Sequence, residues 1–246
     1  MIWYNSDVIK HWLKFFRVVN LPTVPGDVLV GAAASGGIQS CASLTSDWEA
    51  ASPLVAACVA GISLYLFGLA DNDIVGAKTD KGRPISDGAI SLGAARIARG
   101  LCLFAALIVG SLANLPSTWW IAAFALAVTV VVYNRTKWCV AMGLCRGLYV
   151  LCGGVAILRS GLESASPLWV CVGIWTLYIA VVTKYSEGEE MDDAKKRRVG
   201  FLIGAIVYLQ LIALLVFPVK SLLIAGAILL VVLRLMKRFL PGVSAS

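Results

Sequence analysis

Eight stretches of the chain are predominantly apolar: 17–35, 53–71, 93–113, 118–134, 138–158, 167–184, 199–217 and 219–236. Most approach the ~20 helical residues that a bilayer core requires, and the fourth and eighth are shortest relative to that length. Within 53–70 only Ser63 is a clearly polar side chain. No stretch alternates apolar and polar residues as a barrel strand does. Backbone in lipid must satisfy its own hydrogen bonds, so the pattern predicts eight transmembrane helices in one all-α bundle. No tandem repeat or low-complexity segment divides residues 1–246, which read as a single integral membrane domain. The first apolar segment is interrupted by Pro22, Pro25 and Asp27, unlike the core of a cleavable signal.

Composition agrees with a lipid solvent. The 246 residues are 59% hydrophobic and 14% charged, against about 25% charged in soluble domains. The mean hydropathy is +0.85.

The basic residues add orientation. Lys10, Lys14 and Arg17 precede or open the first span. Lys78, Lys81, Arg83, Arg96 and Arg99 follow the second, and Arg135 and Lys137 the fourth. Lys184, Lys195, Lys196, Arg197 and Arg198 follow the sixth, and Arg234, Lys237 and Arg238 the eighth. With eight spans, 18 of the 21 Lys and Arg fall on one face. That face is expected to be cytoplasmic, with both termini there, in the cytoplasmic (inner) membrane. The net charge of +7 therefore records topology, and the scattered bases make no nucleic-acid footprint.

The seven cysteines lie mostly within apolar spans without CxxC spacing, as small buried thiols do. His11, the single histidine, precedes the first span and supports no histidine-based chemistry.

The acidic residues cluster. Asp71, Asp73, Asp80 and Asp87 follow the second span; Glu187, Glu189, Glu190, Asp192 and Asp193 follow the sixth. Both clusters fall on the same expected face and are mixed with Lys or Arg. Asn72, Gly76 and Asp80 are spaced by four, as are Glu189 and Asp193, so each set shares a helix face. Solvated loop charges explain one such cluster. Two at equivalent helix ends point to a shared site, where carboxylates and carbonyls would hold Mg²⁺ against a diphosphate. Neighbouring Lys and Arg would neutralise the remaining phosphate charge.

These motifs, in order, resemble the UbiA superfamily of intramembrane prenyltransferases over most of the chain. Arg17, Asn20, Pro22 and Thr23 are similar to its R-x-x-N-x-P-T entry. Residues 72–80, N-D-I-V-G-A-K-T-D, resemble N-D-x-x-D-x-x-x-D, and Arg83 to Ser91 resemble R-P-I-x-x-G-x-I-S. Tyr185 to Lys195 resemble Y-x-x-x-D-x-x-D-D-A-K. The stretch from Tyr133 through Gly147 further resembles the EboC-like branch. There are departures: Gly76 stands where the pattern has Asp, Glu189 replaces an Asp, the link from Asp80 to Arg83 is short, and eight helices are read where the family commonly has nine.

The resemblance implies a bundle around a cavity open to lipid, and transfer of an isoprenyl group from a prenyl diphosphate to a hydrophobic or aromatic acceptor of unknown identity. It implies Mg²⁺ on Asn72, Asp73, Asp80, Glu189, Asp192 and Asp193, with Asp80, Glu189 and Asp193 central to catalysis. Asn72, Lys78, Lys81, Arg83, Arg135, Lys137, Arg146 and Tyr185 are the expected diphosphate contacts. For Lys and Arg the topological bias is a competing explanation. Arg146, inside a span, must face the bundle interior or a cavity. Two readings stay open for it: contact with substrate, or pairing with Asp27. A terpene cyclase using the diphosphate alone, and a non-catalytic lipid-binding or transport protein, are the alternative functions.

Overall fold

The computed structural model describes residues 4–36, 48–158, 165–187, 193–217 and 219–239. Among them the chain is all α, with nine α-helices. They are α1 (Tyr4–Phe15), α2 (Thr23–Ala34), α3 (Trp48–Val75), α4 (Leu92–Leu112), α5 (Ser117–Thr136), α6 (Cys139–Ile157), α7 (Ser166–Ser186), α8 (Asp193–Val216) and α9 (Lys220–Phe239). A 3₁₀ turn, Val18–Asn20, links α1 to α2.

Eight of these helices, α2–α9, coincide with the eight expected apolar stretches. Six helices, α3–α8, contain segments long and apolar enough to cross a membrane, which makes this an integral membrane protein. The first stretch is a shorter apolar unit, Val18–Ala34, because the 3₁₀ turn interrupts it before α2. Helix α1 is the element beyond the eight stretches. It is amphipathic: Val8 and Ile9 are exposed, while Trp12, Phe15 and Phe16 form an aromatic cluster. That cluster packs on Ala70, Ile90 and Ala95 and fixes α1 against the end of α3 and the start of α4.

Helices α2 and α6 form the centre. Every residue of α2 is buried, and α6 buries residues around its circumference, from Ala141 to Ala156. Lipid offers little hydrophobic drive between helices, so close backbone packing must supply it. A Cβ on Gly31 would run into the Val150 carbonyl, and one on Gly153 into the Val28 carbonyl. Helix α4 shows the opposite pattern. Ile97, Leu101, Phe104 and Leu112 are exposed along it, as lipid-facing side chains are.

Helix α3 continues beyond its most apolar portion to Val75 and carries Asp71, Asn72 and Asp73 on its last turns. The chain then makes one further turn, with Gly76 accepting from the Thr79 and Asp80 amides at 3.0 and 2.8 Å. The 76–91 connection is internally tied. Ser86 hydroxyl donates to the Arg83 carbonyl, the Ile90 amide donates to the Pro84 carbonyl, and Lys14 of α1 donates to the Gly82 carbonyl at 2.9 Å. Ser91 then caps α4 by accepting from the Ala94 amide.

Candidate functional site

A cavity of about 310 Å³ opens where α3, α5, α6 and the α1–α2 junction meet. Its polar wall is Arg17, Asn72, Asp80, Arg83, Asn134 and Lys137. Its interior wall is Tyr65, Leu69, Val130, Tyr133, Met142, Cys145 and Tyr149, with Arg146 among them. Basic side chains outnumber acidic ones here: Asp80 is the only carboxylate among the described lining residues. A cleft lined by one sign of charge concentrates the opposite ion, so the wall suits an anion beside an apolar or aromatic body.

Local backbone aims two of the cations. Arg17 and Lys137 both adopt left-handed conformations, with φ of 41° and 54°. Such backbone is uncommon for residues with a Cβ and recurs where a site over-determines it. Arg17 lies between α1 and the 3₁₀ turn, and Lys137 ends α5 with its amide donating to the Tyr133 carbonyl. Lys137 Nζ then donates to Asn72 Oδ1 at 2.5 Å and lies 5.5 Å from the Tyr133 ring centre. Partial burial holds the Lys137 pKa below the ordinary lysine value, against the pull of Asp80.

Behind the wall, two buried carboxylates hold the cations in place. Asp73 accepts from Arg17 at 3.0 Å and from Arg83 at 2.7 Å. Asp71 accepts from Arg99 at 2.8 Å and from Asn134 at 2.9 Å, with Arg135 at 3.7 Å. Asp80 is more open, and Arg83 Nε lies 3.2 Å from its Oδ2. The Nε of Arg17 is buried without a hydrogen-bond partner, a polar atom at the pocket wall.

Deeper in, Arg146 pairs with Asp27 and also borders the cavity. Its Nη1 donates to Asp27 at 2.6 Å and its Nη2 to the Thr23 hydroxyl at 3.0 Å. Trp175 and Gln210 also donate to Asp27, each at 2.7 Å. The pair thus joins α2, α6, α7 and α8, while the guanidinium also lies 5.8 Å from the Tyr65 ring centre at the cavity.

Of the residues singled out in the sequence, the structure gathers Asn72, Asp80, Arg83, Lys137 and Arg146 on this cavity. Asp73 stands behind its wall. Lys78 and Lys81 are exposed and do not line it, and Arg135 turns to Asp71. Tyr185 lies at a separate recess with Arg197, Arg198, Phe201 and Leu202. Asp193 opens α8, whereas Glu189 and Asp192 lie outside the described residues. Sequence reasoning passed over Tyr65, Tyr133, Asn134 and Tyr149 as lining residues. It also left Arg17 out of the site, although Arg17 stands in the quoted entry motif.

No family model matches the chain, and no curated protein matches it in sequence. In fold it is similar to three solved structures. One, described as giving structural and mechanistic insights into the biosynthesis of digeranylgeranylglyceryl phosphate synthase in membranes, is 18% identical, with a TM-score of 0.59 over 97% of this chain and 92% of that one. A UbiA homolog from Archaeoglobus fulgidus bound to DMAPP and Mg²⁺ is 13% identical, with a TM-score of 0.55 over 94% of this chain and 87% of that one. A UbiA homolog from the same organism bound to GPP and Mg²⁺ is 16% identical, with a TM-score of 0.54 over 96% and 83%. The chain therefore shares its fold with these structures, two of them UbiA homologs, and is a polytopic transmembrane helical bundle.

The pocket's donor chemistry fits Mg²⁺, the metal bound in two of those homologs. Mg²⁺ prefers oxygen, and commonly takes one or two carboxylates with waters and substrate phosphates. Asn72 Oδ1 and the Asp80 carboxylate are oxygen donors on one wall. Among the described residues no group of three His, Cys, Asp or Glu side chains is placed to hold a metal ion, and Glu189 and Asp192 lie outside those residues.

Proposed function

We propose that the protein is a Mg²⁺-dependent intramembrane prenyltransferase that moves an isoprenyl group from a prenyl diphosphate to a hydrophobic or aromatic acceptor. The observation that carries this reading is one cavity with Arg17, Arg83 and Lys137 beside Asn72 and Asp80, over an aromatic and apolar interior. The fold likeness to homologs bound to DMAPP, GPP and Mg²⁺ supports it.

Bound Mg²⁺ supplies Lewis-acid stabilisation of charge on the departing diphosphate. The chain's own groups have distinct tasks. Arg17, Arg83 and Lys137 hold the diphosphate, and Asp73 orients the two guanidiniums from behind. Asn72 and Asp80 are the groups on the cavity wall that would hold the metal, and the second acidic segment, with Glu189, Asp192 and Asp193, would complete the set. The allylic carbon–oxygen bond breaks, its electron pair leaving with the diphosphate. Tyr65, Tyr133 and Tyr149 surround the apolar chain and exclude water from the cation. The acceptor then forms the new bond to carbon and releases a proton.

The polar end of the cavity faces the cytoplasm in this reading, because the loops around it carry most of the basic residues. The chain would lie in the cytoplasmic membrane with both termini inside. Purified protein incubated with Mg²⁺ and geranyl, farnesyl or geranylgeranyl diphosphate, with and without a membrane lipid extract, tests the reaction by mass spectrometry. Prenylated product that requires the extract is expected. A cyclised hydrocarbon from diphosphate alone would make the protein a terpene cyclase. Absence of Mg²⁺-dependent diphosphate release would reject catalysis and leave lipid binding or transport.

A further inference from the structure

Asp80 reaches the cavity wall through a space that exists because residue 76 has no side chain. A Cβ built on Gly76 would lie 2.5 Å from Asp80 Oδ2, 2.6 Å from its Cγ and 3.0 Å from its Oδ1. The carboxylate therefore rests directly on the Gly76 backbone. The extra turn after α3 brings it there: the Asp80 amide donates to the Gly76 carbonyl at 2.8 Å, which sets residue 80 one turn beyond residue 76. Two further contacts hold the group. Thr79 hydroxyl donates to Oδ1 at 3.1 Å, and Arg83 Nε lies 3.2 Å from Oδ2.

This placement separates Asp80 from its acidic neighbours. The side chains of Asp71 and Asp73 are 1% and 2% exposed and occupied by arginines, whereas that of Asp80 is 31% exposed and lines the cavity. A methyl group at position 76 leaves too little room for the carboxylate in its present position. Its displacement would also cost Arg83 one of its two acidic partners, loosening a cation of the same wall. The backbone itself tolerates the change, since the φ of Gly76 is not in the left-handed region.

We propose that Gly76 is a positioning residue: its bare Cα is the seat on which the Asp80 carboxylate is presented to the cavity. The inference rests on the reading of the cavity as a prenyl diphosphate site. It implies that Gly76→Ala, which removes no polar group, acts on the ligand as a mutation of Asp80 does.

The test measures geranyl diphosphate affinity at fixed Mg²⁺ for the parent, Gly76→Ala, Asp80→Asn and the double variant, together with ligand-free melting temperature. Ala is the better helix former, so a purely structural effect would leave the melting temperature unchanged or raised with affinity intact. Expected is a loss of affinity of about tenfold in Gly76→Ala, the scale of a contact to a charged group. The melting temperature should not fall, and the double variant should bind no worse than Asp80→Asn, the non-additivity of two changes acting through one group. Parent-like affinity in Gly76→Ala, or fully additive losses, would overturn the inference. If the parent itself fails to bind, the diphosphate reading fails. The seat is then judged alone, by peptide-mapped labelling of Asp80→Cys with a charged maleimide. Faster labelling in the Gly76→Ala background supports the seat, and equal rates reject it. The same labelling decides the question if the melting temperature of Gly76→Ala falls.

Discussion

Arg146 and Asp27, 119 residues apart in the chain, form a 2.6 Å ion pair at the centre of the bundle, beside the cavity that Arg146 also lines. Asp27 is wholly buried, and Trp175 and Gln210 complete its hydrogen bonding. Removing one member strands the other charge among apolar helices, whereas removing both leaves a cavity but no charge. Asp27→Ala should therefore destabilise by about 3–5 kcal/mol, and Asp27→Leu combined with Arg146→Met by distinctly less. Unfolding midpoints in a single detergent check this. Equal losses in the single and double variants would mean that the pair is not the element holding α2 to α6.

How much of this arrangement the sequence disclosed depends on the range of the interaction. Apolar runs are local, so all eight helices α2–α9 were legible from hydropathy, as was the intramembrane position of Arg146. Helix α1 was not read as an element, because amphipathic spacing with exposed Val8 and Ile9 makes no apolar run. The acidic segment after the second span was legible as a charged cluster at the end of a helix, but the division of contacts within it was not. Asp73 and Asp80 look alike in sequence. Only the tertiary approach of Arg17, 56 residues away, turns Asp73 into a buried anchor and leaves Asp80 at the cavity. Tyr65 and Tyr149 carried no motif, and Tyr133 only opened a quoted stretch; nothing local joins the three, since their common wall is made by three different helices.

That division has a consequence for Asp73. Its neutral variant Asp73→Asn keeps the shape but releases two guanidiniums that now share one oxygen. Diphosphate affinity should fall through misplacement of Arg17 and Arg83, so the loss should be shared with Arg17→Ala rather than added to it. Isothermal titration of the single and double variants with geranyl diphosphate measures the coupling. Full additivity would place Asp73 in direct contact with the ligand or metal.

Lys137 predicts a pH dependence. Burial lowers its pKa from the ordinary lysine value. Only the protonated amine attracts a diphosphate, so affinity should be complete below the Lys137 pKa in the free protein. It should decline as pH rises through that pKa, earlier than for an ordinary lysine. Lys137→Arg keeps its charge throughout this range and should flatten the high-pH limb. Binding curves from neutral to alkaline pH decide it, and an identical alkaline decline in both proteins would assign that limb to another group.

Orientation is open to a direct check. The basic loops predict that the α1 end and the polar mouth of the cavity face the cytoplasm, and that the α4–α5 turn faces outward. A cysteine introduced by Ser117→Cys, at the exposed start of α5, should react with an impermeant maleimide in intact cells. One introduced by Ser6→Cys should react only after the membrane is opened. The reverse pattern would invert the topology and move the site to the other side.

The final prediction joins the two acidic segments. Asp80 lies on the cavity wall, and Asp193 begins α8, after the segment that carries Glu189 and Asp192. If both segments hold Mg²⁺ against one diphosphate, then Asp80→Ala and Asp193→Ala should each raise the Mg²⁺ concentration needed for half-maximal stabilisation by geranyl diphosphate. Loss of a single carboxylate from a Mg²⁺ site with few protein ligands should shift that midpoint by about tenfold or more. Asp80→Ala should not alter the ligand-free melting temperature much, because Asp80 is partly exposed and its loss leaves Arg83 still paired to Asp73. Calcium is the informative control. It is larger and accepts looser geometry, so it should stabilise the parent less sharply but lose less in the variants. A Mg²⁺ midpoint that moves for Asp80→Ala but not for Asp193→Ala would confine the metal to the α3 side of the cavity. The chain would then hold its diphosphate chiefly by the Arg17, Arg83 and Lys137 wall.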